Sequence, residues 1–110
     1  MDNLAPLPIE EPVDALDHAF GQLAAASARI LSQIPKYADA KVFERDGATS
    51  ISRWLSARYG LRVGMAMDLV RIARALESLP EIAEAHARGR LSFDQIQPLT
   101  KFATAVTDER

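Results

Sequence analysis

Gly60 interrupts a helix-favouring run, SISRWLSARYGLRVGMAMDLVRIARAL from Ser50 to Leu76, and that interruption constrains the fold more than any other feature of the chain. The spacing predicts one helix from about Ile51 to Tyr59, with Thr49 or Ser50 as its N-cap. Glycine suits the left-handed residue that ends a helix, because it has no Cβ to clash there. A second helix is predicted from about Val63 to Glu77. Trp54, Leu55, Ala57, Leu61, Val63, Ala66, Val70 and Ala73 fall at spacings that suit buried positions. A small residue, a turn glycine three residues on, and apolar neighbours on both sides form a helix-turn-helix pattern, met here by Ala57, Gly60, Leu55 and Leu61. The same description fits any helical hairpin.

Charge adds to this reading. Arg53, Arg58, Arg62, Arg71 and Arg74 face only Asp68 between Ile51 and Leu76, a local net of +4 in a chain whose total is −2. One basic segment on an acidic protein suits a face that meets phosphates. Arginines also commonly do no more than solvate helix surfaces. The low total charge argues against a nonspecific polyanion binder.

Before this segment, the proline-rich and acidic residues 1–12 read as a disordered or extended arm. Val13, Leu16, Phe20, Leu23, Ser27, Ile30 and Ile34 then recur at steps of three and four, the mark of a helical stripe. Such a stripe serves either as core or as the seam of a homodimer. Asp14 and Asp17 suit the first turn of this helix, and Pro35 is expected to stop or kink it. Lys36 to Arg45 reads as a second, shorter helix, and Asp46-Gly47 as the turn dividing a helical arm (13–46) from the central unit (47–110).

After the central unit, Pro80 suits the first position of a helix that runs to about Arg88 and ends at Gly89. Ser92 and Gln95 have the spacing of a capping box, opening a last helix from about Phe93 toward Val106, with Pro98 inside it. No period-two strand pattern occurs, so the chain reads as all-α with about six helices. It has no cysteine, hence no disulfide and no thiolate metal site. No apolar run approaches the roughly twenty residues that cross a bilayer, and the N-terminus lacks a signal-peptide pattern, so the expectation is a cytoplasmic protein away from membranes.

The run from Gly47 to Leu99 carries several motifs in order. These are G-x-x-S-x-x-x-W-L at Gly47, Ser50, Trp54 and Leu55, and R-x-G-L at Arg58, Gly60 and Leu61. V-R-x-A-x-x-L follows at Val70, Arg71, Ala73 and Leu76, then L-P at Leu79 and Pro80, and G-x-L-S-x-x-Q at Gly89, Leu91, Ser92 and Gln95. The chain thereby resembles the domain of unknown function at the N-terminus of many actinobacterial HNH-endonuclease repeat proteins. More distantly it is similar to the DNA-binding module of ParB-type partition proteins. The resemblance implies a helix-turn-helix with a supporting helical layer.

Two features depart from it. The nuclease half is missing: His18 and His86, on separate predicted helices and expected to be surface or partly packed, form no HNH metal cluster. Neither a catalytic triad nor a phosphate-cradling glycine loop is present, so no enzyme activity and no cofactor or metal are expected. The second departure lies in the helix that would read bases. Its first turns, RVGMAMD, offer Arg62 as the one good polar contact, while Met65 and Met67 provide apolar contact or an adaptable protein-binding surface.

The leading expectation is a DNA-binding module that contacts double-stranded DNA through Arg53, Arg58, Arg62, Met65, Met67, Arg71 and Arg74. The alternative is an interaction module without DNA, pairing with itself through the Val13 to Ile34 stripe or with a larger protein. A third is that the chain is the amino-terminal part of a longer protein and targets or regulates a nuclease. Trp54 is expected in the core.

Overall fold

The computed structural model describes residues 10–102, with side chains from 13 to 101. Six helices follow one another: α1 (Glu10–Asp39), α2 (Val42–Arg45), α3 (Ile51–Tyr59), α4 (Val63–Leu76), α5 (Pro80–Ala87) and α6 (Phe93–Phe102). No strand occurs among the described residues, and the chain is all-α. Most of the expected N-terminal arm, and the extension of the last helix toward Val106, lie outside the described residues.

Local signals set most helix ends. Ser50 Oγ accepts the Arg53 N–H at 3.2 Å and caps α3. Gly60, at φ 68°, closes α3 by donating its N–H to Ser56 O. Ser92 and Gln95 complete the expected box: Ser92 Oγ accepts the Gln95 N–H at 3.1 Å, and Gln95 Oε1 accepts the Ser92 N–H at 2.9 Å. Pro80 opens α5, and Pro98 sits inside α6 without ending it.

The first helix departs from expectation. Pro35 does not stop α1, which runs 30 residues to Asp39. A proline removes the hydrogen bond its own N–H would give, here to Leu31 O, and crowds that carbonyl, yet the helix continues through it with the ring buried near Ala73, Leu76 and His86. The true break lies at Lys41, whose left-handed φ of 57° turns the chain. Lys36 to Asp39 therefore belongs to α1, and the expected second helix shrinks to the single turn of α2.

Helix α4 is central, packing against α1, α3, α5 and α6. Ala66 and Ala73 are buried and small, so neighbouring helices approach closely. One cluster joins Leu31 and Ile34 of α1, Ile51, Trp54 and Leu55 of α3, Ala66, Ile72 and Ala73 of α4, and Ile96 of α6. Ala57 and Val63, expected inside, are exposed; Leu61 and Val70 are half-buried. Helix α3 turns Ile51, Trp54 and Leu55 inward, which at about 100° per residue leaves Ala57 on its flank.

The α1 stripe divides. Ile34 is buried and Ser27 half-buried, but Val13, Leu16, Phe20, Leu23 and Ile30 are 47% to 64% exposed. The inward residues are instead Ala24, Leu31, Ile34 and Pro35. Every residue from Val13 to Leu23 is exposed, and the backbone at Gly21 comes close to Gly89 in the turn after α5.

His86, expected at or near the surface, is only 1% exposed. Its Nδ1 lies 2.7 Å from Leu91 O and its Nε2 3.0 Å from Ser27 Oγ. A carbonyl oxygen only accepts, so Nδ1–H donates to Leu91 O and Nε2 accepts from the Ser27 hydroxyl. One side chain thus fastens α1 to α5 and to the turn before α6.

Candidate nucleic-acid interface

The arginines of the central segment have different surroundings. Arg53, on α3, is exposed and lines a shallow cleft with Asp46, Gly47, Ala48, Ala57 and Val63. Arg58 lies one turn beyond Trp54, and its Cζ sits 5.3 Å from the Trp54 ring centre and 5.9 Å from that of Tyr59. A guanidinium over an aromatic face is held by the ring quadrupole yet keeps its N–H groups outward. Arg62 occupies the N-cap of α4 in extended backbone and is exposed. These three arginines pair with no carboxylate among the described residues.

The two arginines further along α4 already have partners. Arg71 is half-buried and donates from Nη1 to Thr100 Oγ1 at 3.3 Å, tying α4 to α6. Arg74 donates from Nη2 to Asp39 Oδ1 at 2.7 Å, and its Nη1 lies 3.5 Å from Glu77 Oε1. The hydrogen bond from Arg74, reinforced by its charge, holds the Asp39 carboxyl below the usual carboxylate range. The Arg74 guanidinium is in turn pushed up, chiefly by its hydrogen bond to Asp39.

The methionines also separate. Met67 is 56% exposed and shares one side of α4 with Val63, Arg71 and Arg74. Met65 is half-buried.

Sequence reasoning passed over the aromatic support of Arg58. Tyr37 and Tyr59 meet the Trp54 ring edge-on, at centroid distances of 6.4 and 6.2 Å, and both tyrosines are exposed. Trp54 Nε1–H donates to Asp46 Oδ2 at 2.7 Å, so Asp46 anchors the indole as well as shaping a turn. The four-residue step from Trp54 to Arg58 was the available signal, because such pairs meet on one helix face. Tyr37 had none, since it arrives from α1.

Chemically, three outward guanidiniums around α3 and the turn into α4 can donate bidentate hydrogen bonds to phosphate oxygens. The other cleft, about 270 Å³ between α1, α4 and α5, is lined by Leu31, Pro35, Ala73, Leu76 and the doubly bonded His86, and is chiefly apolar. Among the described residues no group of three His, Cys, Asp or Glu could hold a metal ion, and no helix is long and apolar enough to cross a membrane.

Comparison with curated proteins and with solved structures gives no match. A family model does match, over residues 11–110, and is described only as a domain of unknown function (DUF222); the chain belongs to that family.

Proposed function

We propose that the chain is a non-catalytic DNA-binding module in which α3, the Gly60 turn and α4 act as a helix-turn-helix. The observation that carries this reading is the set of three exposed arginines, Arg53, Arg58 and Arg62, without carboxylate partners among the described residues. In this reading they grip phosphates, while Val63, Gly64 and Met67 at the start of α4 face the groove. Arg71 and Arg74 are already engaged by Thr100 and Asp39, and in this reading they contribute less. The likeness to nuclease-linked proteins supports a role in targeting or regulating an HNH nuclease in the cytoplasm, with the nuclease as a larger protein partner.

The test is anisotropy of a random duplex pool at two salt concentrations. Binding should fall steeply with salt, with a log-log slope of about −0.9 per phosphate contacted. Arg53→Ala, Arg58→Ala and Arg62→Ala should each weaken binding and flatten that slope by about 1, and Arg74→Ala should do less. No binding at low salt, or binding indifferent to all three changes, overturns the reading.

A second reading has its own support. The exposed apolar residues Val13, Leu16, Phe20 and Leu23 suit an interaction or dimerisation module that needs no DNA. The two readings are compatible, because helix-turn-helix proteins commonly bind as dimers.

A further inference from the structure

We infer that α1 pairs with α1 of a second copy in antiparallel orientation, with Val13 level with Ile30, Leu16 with Ser27, and Phe20 with Leu23. This rests on the dimerisation reading above and assigns its partner, orientation and register. From Val13 to Leu23 the helix has no buried residue, although an isolated helix shorter than about 12–15 residues is marginal in water. Its exposed apolar residues recur at steps of three and four, the spacing of a two-helix seam.

Three observations select a second copy in this orientation. The first is area. Val13, Leu16, Phe20, Leu23 and Ile30 present on the order of 500 Å² per protomer, so a symmetric pair covers about 1,000 Å², near the threshold for a specific interface. The second is charge. Antiparallel pairing sets the two helix dipoles against each other, whereas parallel pairing aligns them. The third is polarity. Ser27, the one polar residue in the seam, already gives its hydroxyl proton to His86, so covering it with Leu16 strands no donor.

The absence of cysteine makes the register readable with introduced thiols. Light scattering on the full chain should give twice the 12.1 kDa monomer mass, and Phe20→Asp should halve it while the melting of the core is unchanged. Under oxidation, a mixture of Val13→Cys and Ile30→Cys chains should cross-link to each other. Val13→Cys alone should not, since 17 positions of helix, about 25 Å, separate the two copies of that residue.

A monomer at high concentration overturns both the inference and the dimerisation reading. If, in that monomer, Phe20→Asp lowers the melting temperature, a segment of the same chain covers the stripe. A dimer whose Val13→Cys chains cross-link among themselves is parallel, and a dimer that forms neither link uses another surface. Either result overturns the inference and leaves self-association standing.

Discussion

Asp39 and Arg74 stand 35 positions apart in sequence and 2.7 Å apart in space, where the end of α1 meets the last turn of α4. The Asp39 carboxyl is held below its ordinary value of 3.8 by the Arg74 hydrogen bond and charge. A depressed carboxylate stabilises the folded state above its unfolded pKa, and the contribution disappears as pH falls through the lower folded value. Both side chains are solvent-exposed, so the effect is small and salt-sensitive. Asp39→Asn should therefore lower the melting temperature slightly near neutral pH, and the difference from the native chain should start to shrink below about pH 4 and vanish only once the pH is below the depressed folded value. Paired melting curves from neutral to acid pH check this. Trp54 shows what residue type alone conveys. An apolar body with one donor was expected in the core, and it is there; its acceptor, Asp46, emerges only once the turn is built.

At the scale of elements, helix ends were legible because their causes are local. Ser50, Gly60, Pro80 and the Ser92–Gln95 box act within a few residues of themselves. Gly60→Ala should cost about 1 kcal/mol, since alanine resists the left-handed backbone although a Cβ there meets open space. Denaturant titration measures it, with Gly64→Ala as the control, because α4 favours alanine and Gly64 also faces open space. Of the stop or kink expected at Pro35, the stop does not occur, because a proline's cost depends on what surrounds it. Burial of its ring among neighbouring helices is a tertiary fact. Lys41 takes up the turn although lysine carries no preference for a positive φ, so no local signal marked the break.

At the scale of the whole molecule, His86 holds three elements together. His86→Leu removes the acceptor of the Ser27 hydroxyl and the donor to Leu91 O, and should cost about 2 kcal/mol through unpaired buried groups. Thermal unfolding of the variant beside Ser27→Ala, which removes one of these bonds, separates the two contributions. The same scale sorts the basic segment. Five arginines looked equivalent along the chain, but α1 brings Asp39 to Arg74 and α6 brings Thr100 to Arg71, leaving Arg53, Arg58 and Arg62 facing outward. The sequence by itself determined the all-α class, most helix boundaries and the burial of Trp54, because periodicity, caps and side-chain size act over one or two turns. Only the tertiary structure decided which face of α1 is covered, which arginines are free and that His86 is buried. Those outcomes depend on partners 29 to 59 positions away, and no local pattern encodes which distant surface a side chain will meet.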